Sequence, residues 1–284
     1  MSLSNETPSI RSALAAIYDA IRAGYGPGAS SRDDAPDFGH DPHFLEEVAP
    51  LLDFLYAKYF RVRLIDAEKI PTSGAALLVA NHSGGLPYDG AMLIYGVYRE
   101  RQRRLRPLVA NFAFRSGWMS NVVARIGGVR ASADLARKLL SAGELVGVFP
   151  EGLRGVGKLY RERYRLERFG RGGFVRLARE ADVPIVPVAI VGAEEIHPVI
   201  AKVTTIAAPL GLPYIPITPT FPLLGPFGLL PVPTKWTIQI GDPIRVPRDG
   251  SSTTVITDTA EAVRGRIDAM IAALLTRRRS ILFG

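Results

Sequence analysis

Six short apolar runs separated by helix-patterned stretches limit most what this chain can fold into; they cover residues 61–65, 76–80, 105–110, 145–149, 185–191 and 236–240. Several lack polar alternation altogether, as strands buried on both faces do. Helical spacing fits 91–98, 133–141 and 173–181 between them. Alternation of this kind predicts an α/β fold, a mixed and largely parallel sheet sandwiched by helices. Helical patterns also flank the alternating region. Residues 9–23 carry Ile10, Leu14, Ile17 and Ile21 at helical spacing, and 44–60 read as a helix that Pro50 should kink or split. Near the end, 254–276 put Val263, Ile267, Met270, Ile271, Leu274 and Leu275 on one face before Arg277-Arg278-Arg279. No internal repeat or long Gly/Ser linker divides the chain. The expected organisation is therefore an N-terminal helical extension over 1–60, an α/β domain over 61–250, and a C-terminal helix over 251–284 packed on that domain.

Composition matters mainly for what it excludes. None of the 284 residues is cysteine, so there is no disulfide scaffold, no thiol nucleophile and no Cys-based zinc site. Lys and Arg outnumber Asp and Glu by 35 to 27, a formal charge of +8 that attracts anions such as nucleic acid, anionic lipid or phosphorylated small molecules. The start, Met1-Ser2-Leu3-Ser4-Asn5-Glu6, lacks the basic lead and apolar core of a secretory signal, which predicts a cytoplasmic location. Residues 203–234 contain no charge, but eight prolines would interrupt any helix, so they read as an apolar irregular surface and not as a span. In His40-Asp41-Pro42-His43 the proline breaks the helix a metal-binding His pair would use, and no metal site is expected. His197 reads as a loop residue.

The chemistry-bearing residues cluster where strands end. The 76–80 run leads directly into Asn81-His82-Ser83-Gly84-Gly85-Leu86-Pro87-Tyr88-Asp89. A glycine-containing loop between strand and helix lies at the carboxyl edge of a sheet, where open α/β folds place their sites. Imidazole titrates near neutrality and is the usual general base, and a carboxylate on its other nitrogen fixes the tautomer and stabilises the imidazolium. The competing reading makes His82 a packing residue and Asp89 only a helix start. A second cluster follows the 145–149 run: Phe149-Pro150-Glu151-Gly152-Leu153-Arg154, then a basic stretch of Lys158, Arg161, Arg163, Arg165 and Arg168. Guanidinium groups pair bidentately with phosphate, so a phosphate-bearing substrate fits this edge.

Asn81-His82 with a nearby Asp, then Phe149-Pro150-Glu151-Gly152 with Arg154, then 169–174 and 183–190, resemble in this order the blocks of the glycerophospholipid acyltransferase family that includes lysophosphatidate acyltransferases. The resemblance covers roughly 65–244. It implies transfer of a fatty acyl group from a thioester, acyl-CoA or acyl carrier protein, to a glycerolipid hydroxyl such as that of a lysophosphatidate or a monoacylglycerol. It further implies that His82 is the base, that Asp89 orients it, and that no cofactor is bound. Asn81, Phe149, Pro150, Glu151, Gly152, Arg154 and Lys158 would contact the acceptor, with Arg115 as the arginine ending the family's second block. One departure stands out. The family leaves four residues between His and Asp, whereas six intervene here and Pro87 falls where the Asp would be. Ser83-Gly84-Gly85 would have to bulge to close that gap. Leu86-Pro87-Tyr88-Asp89 is similar to a loop of the transmembrane-protein-68-like and diacylglycerol acyltransferase-like branch, whose acceptors are neutral.

Water-insoluble substrates call for a bilayer. The charge-free segment, the N-terminal helix and the basic tract Arg99, Arg101, Arg103, Arg104 and Arg106 are the features expected to meet the inner face of the membrane peripherally. Two other readings compete. A lipid hydrolase could use the same His-Asp pair on water, though no Gly-x-Ser-x-Gly elbow is present. A basic nucleic-acid-binding protein would suit the charge but leaves Pro150-Glu151-Gly152 unexplained, and no nucleic acid is expected as a partner.

Overall fold

The computed structural model describes residues 9–23, 36–83, 88–114, 117–205, 207, 214–248 and 252–284. In chain order the strands are β1 (Arg63–Ile65), β2 (Ala76–Ala80), β3 (Leu105–Val109), β4 (Val129–Arg130), β5 (Leu145–Val148), β6 (Ile185–Val191), β7 (Ala201–Val203), β8 (Ile215–Ile217) and β9 (Thr237–Ile240). The helices are α1 (Ile10–Ala23), α2 (Pro42–Asp53), α3 (Tyr88–Arg101), α4 (Gly117–Arg125), α5 (Ala133–Ser141), α6 (Leu153–Val156), α7 (Gly173–Ala181) and α8 (Ser252–Arg277).

Seven strands form one sheet in the order β1-β9-β6-β2-β5-β3-β4, and β7 and β8 make a separate pair. Every contact in the large sheet is parallel except β6 against β9, so β1 and β9 run opposite to the other five. The expected mixed, largely parallel α/β sandwich is what forms. β2 illustrates why its sequence is uniformly apolar. Leu77 and Val79 face a core built with α5, α7 and α8, while Ala76, Leu78 and Ala80 face one built with α3, Phe60 and Trp236. Successive strand residues point to opposite faces, and here both faces are covered.

α8 lays Ile256, Val263, Ile267, Met270 and Ile271 onto the first of these cores. α1 and α2 form a third cluster with α4, centred on Ala20, Phe44, Leu45 and Val48. α1 turns Ala13 and Ala20 inward while Ile10, Leu14 and Tyr18 stay exposed, because small side chains let it lie close against its neighbours. Pro50 sits within α2 without splitting it. Asp41 caps that helix by accepting from the Phe44 amide at 3.2 Å, Pro42 occupies its first turn, and the buried Phe44, Leu45 and Val48 hold it in place. Beyond α2 the chain continues through the wider π-helical turns of Phe54–Tyr59.

The basic tract is also not the free surface it reads as. Arg106 lies fully buried on β3 with its Nε donating to the Gly127 carbonyl at 2.9 Å. Arg103 donates to the carbonyls of Pro71, Gly74 and Gly143, Arg104 pairs with Glu144, and Arg99 pairs with Asp53. A strand-edge arginine surrounded by unpaired loop carbonyls gains more from them than from solvent. Among the described residues no helix is long and apolar enough to cross a membrane.

Candidate active site

β2 lies between β6 and β5, so the loops leaving the carboxyl ends of these three parallel strands converge at one edge. β2 delivers Asn81 and His82, β5 delivers Phe149 to Gly152, and β6 delivers Glu194 and Glu195. Residues brought from such distant parts of the sequence meet only because the strands are neighbours.

His82 Nδ1 lies 2.6 Å from Asp89 Oδ2. Asp89 sits in the first turn of α3, its side chain wholly buried, while His82 keeps 16% of its side-chain surface open. The same Oδ2 accepts from the Ser83 amide at 2.9 Å and from Ser83 Oγ at 3.3 Å, and Oδ1 accepts from the Gly90 amide at 2.7 Å. A buried carboxylate is tolerated when each oxygen has donors, and these donors aim it at the imidazole. The six-residue separation thus closes the contact. α3 begins three residues earlier than its pattern predicts, which places Asp89 inside the helix instead of before it. Gly84, Gly85, Leu86 and Pro87 lie outside the described residues, as does Arg115. Nε2 is the ring nitrogen that Asp89 does not engage. The Phe149 ring lies against the imidazole, centroids 4.5 Å apart and planes inclined by 34°.

Three residues expected at the acceptor are turned into the fold. Asn81 is fully buried and pairs with β6, donating to the Ile190 carbonyl at 2.9 Å and accepting from its amide at 2.7 Å. It extends the sheet by one pair of side-chain bonds and so fixes where β2 ends. Glu151 accepts from the His82 amide at 2.9 Å and from the Glu167 amide at 2.8 Å. Its carboxylate lies 3.1 Å from Lys158 Nζ, which also reaches Glu194 at 3.0 Å and the Arg165 carbonyl at 3.2 Å. Burial pushes the Glu194 carboxyl up to about 7 against the pull of Lys158. Burial works in the opposite sense on Lys158, but the two carboxylates outweigh it and hold the ammonium above its ordinary value. The second carboxylate, Glu151, adds a smaller push in the same direction as burial. Pro150 leads into this turn, and Gly152 adopts φ 56° and ψ −144°, a conformation essentially restricted to glycine. Arg154, on the one-turn helix α6, is exposed and enters no ion pair among the described residues.

Sequence reasoning missed Ser83, Gly155 and Glu194. Glu194 had a visible signal, a carboxylate pair placed directly after an entirely apolar strand. Gly155 had none, because its role is close approach. A Cβ there would lie 2.7 Å from Glu151 Cβ and 3.0 Å from His82 Cβ. Gly155→Ala should therefore displace His82 and lower turnover by about 10- to 100-fold with the protein still folded, since small misplacements of a reacting group cost on that order. Turnover measured beside a thermal melt checks this; wild-type turnover would remove the packing role. His197 lies in the loop after β6, as its sequence context predicts, and is buried there with Nε2 2.8 Å from the Leu229 carbonyl.

Residues 61–191 match the acyltransferase family. An uncharacterised protein of Mycobacterium tuberculosis is 45% identical over 255 residues, covering 87% of this chain and 71% of its own length. The DGAT1/2-independent enzyme synthesizing storage lipids of Bos taurus is 27% identical over 140 residues, 49% of this chain and 41% of that protein. The crystal structure of the 1-acyl-sn-glycerophosphate acyltransferase PlsC from Thermotoga maritima superposes with a TM-score of 0.54 at 19% identity, covering 95% of this chain and 99% of that one, and so shares the fold. With a sheet of this topology, its blocks in this order and a relative matched along most of its length, the chain belongs to the glycerophospholipid acyltransferase family.

Proposed function

We propose that this chain moves a fatty acyl group from a thioester, acyl-CoA or acyl carrier protein, onto a glycerolipid hydroxyl, with His82 as general base. The 2.6 Å contact between His82 and the buried Asp89, beside Phe149 at the carboxyl edge of the sheet, carries this reading. His82 Nε2 takes the hydroxyl proton as the acceptor oxygen bonds to the thioester carbonyl carbon. Collapse of the tetrahedral intermediate breaks the carbon–sulfur bond, and the imidazolium returns its proton to the departing thiolate. Asp89 stabilises the imidazolium in between. No acyl-enzyme forms, consistent with a chain that has no cysteine.

The remaining residues divide by position. Glu151 holds the His82 backbone amide, Lys158 holds Glu151, and Asn81 ties the residue before His82 to β6, so the three act as positioning residues. Arg154 remains the exposed cation for a phosphorylated acceptor such as lysophosphatidate, while a monoacylglycerol would not need it. Contact with a bilayer would come through exposed apolar side chains: Ile10, Leu14 and Tyr18 on α1, and Leu223, Phe227 and Leu230 in the charge-free segment.

Purified protein incubated with radiolabelled oleoyl-CoA or oleoyl carrier protein and a panel of lysophosphatidate, monoacylglycerol and simpler lipid alcohols should yield an acceptor-dependent labelled ester. Release of free fatty acid at the same rate with and without acceptor would replace this reading with hydrolysis.

A further inference from the structure

A cleft of about 470 Å³ lies between the 161–165 loop and the carboxyl end of α8. That volume falls within the usual range for small-molecule sites, about 300–1,000 Å³. Its walls are unusual for such a site, because they are built largely from guanidinium groups. Arg161, Arg163 and Arg165 line one side, and Arg278 and Arg279 the other.

Only Arg278 has its charge compensated in place. Its side chain is 10% exposed and lies 2.6 Å from Glu195, the one carboxylate that lines the cleft among the described residues. It also donates to the Lys235 and Ile281 carbonyls at 3.0 and 2.8 Å, so it serves as a rigid floor. The other four stand in a different situation. Arg165 and Arg279 are exposed and enter no ion pair among the described residues. Arg163 lies over the Tyr160 ring, 4.3 Å from its centroid, and Arg161 is 78% exposed with only Glu162 at 3.8 Å.

The loop is held so as to present these side chains. Tyr164, between Arg163 and Arg165, adopts φ 65°, a conformation that costs free energy for a non-glycine residue. Its partly buried ring and its backbone offset the cost: Oη accepts from the Gly192 amide at 2.9 Å, and its own amide donates to Glu194 at 2.9 Å. Anchored in this way, the tyrosine lines the cleft together with its arginine neighbours. These guanidinium groups around one concavity repel one another, and beyond the Glu195 that engages Arg278 the only carboxylate paired with them among the described residues is Glu162, 3.8 Å from Arg161. Guanidinium forks match phosphate oxygens in pairs, and four of them from two chain segments exceed what one phosphoryl group can engage.

We propose that this cleft is a phosphate-binding subsite, separate from the His82 dyad, for a ligand presenting two or more phosphoryl groups. Two sources share that chemistry: the nucleotide end of a soluble thioester donor, and the headgroups of an anionic lipid surface. Binding is measured without turnover, so this proposal can fail while the acyl-transfer reading stands, and the reverse.

The test compares the full chain with an R161Q/R165Q/R279Q variant, whose three changes are exposed and lie outside the dyad. Adenosine 3′,5′-bisphosphate is titrated calorimetrically, and binding to vesicles of pure phosphatidylcholine or of phosphatidylcholine with phosphatidylglycerol is followed by sedimentation. The wild type should bind the nucleotide or the anionic vesicles, more weakly as salt rises. The variant, with an unchanged melting temperature, should bind that same probe about 30-fold or more weakly, since several charge-assisted contacts are lost together. Loss confined to the nucleotide assigns the soluble source, and loss confined to anionic vesicles assigns the lipid. Equal binding of both probes by wild type and variant, or no binding of either by the wild type, overturns the subsite.

Discussion

Replacing His82 with alanine is expected to lower acyl transfer by about three to four orders of magnitude while the protein keeps its fold. General-base catalysis alone accounts for about 10²- to 10⁴-fold, and without the imidazole the acceptor hydroxyl has no positioned group to take its proton. The fold should survive because His82 lies at the sheet edge, outside both apolar cores, and the bond that Glu151 accepts comes from the backbone amide, which alanine retains. Turnover with labelled thioester, beside circular dichroism and a thermal melt, separates the two effects. An alanine variant with undiminished turnover would remove His82 from the chemistry.

The second large effect is expected for Asp89→Asn, again about three to four orders of magnitude in turnover, as the corresponding change costs in Ser-His-Asp enzymes. The change alters few atoms but reverses the hydrogen-bond accounting. Oδ2 accepts from His82, the Ser83 amide and Ser83 Oγ, and Oδ1 accepts from the Gly90 amide. An amide places its NH2 on one of these two sets of donors, leaving buried N–H groups opposed. It also carries no charge to stabilise an imidazolium. A fall in turnover with little change in acceptor KM is the expected signature. If Asp89→Asn lost stability but its folded fraction turned over normally, the carboxylate would be structural only.

The two variants also distinguish the dyad from its surroundings. His82 depends on Asp89 through the ring and on Glu151 through the backbone, and these supports come from α3 and from the turn after β5. Either one alone leaves a degree of freedom in the imidazole. Close packing of Gly155 and Phe149 removes what remains.

Much of the architecture was legible because burial on both sheet faces imposes a residue type. β2, β5 and β6 carry almost nothing polar, and their limits agree with the apolar runs to within a residue. The ends of strands were legible for a related reason, since His82 and Phe149 follow those runs directly. Short elements left no such mark. β4 spans two residues and β7 and β8 three each, too few for periodicity to register. The apolar stripe of α1 was legible, but its packed side was not, because the fully buried residues there are Ala13 and Ala20, too small to stand out in the pattern.

Local pattern, then, decided which segments become strands, in what order the polar blocks follow them, and which imidazole and carboxylate stand near each other along the chain. Tertiary structure alone decided what each charged residue faces. A glutamate in Pro150-Glu151-Gly152 reads the same whether it meets solvent, substrate or its own fold. Its partners, the His82 and Glu167 amides and the Lys158 ammonium, come from separate segments brought together by strand order. The arginines of the 161–165 loop likewise acquire a shared cleft only when the end of α8 closes its other side. Side-chain direction in a loop is set by which long-range partner compensates its desolvation, and that is a property of the assembled fold.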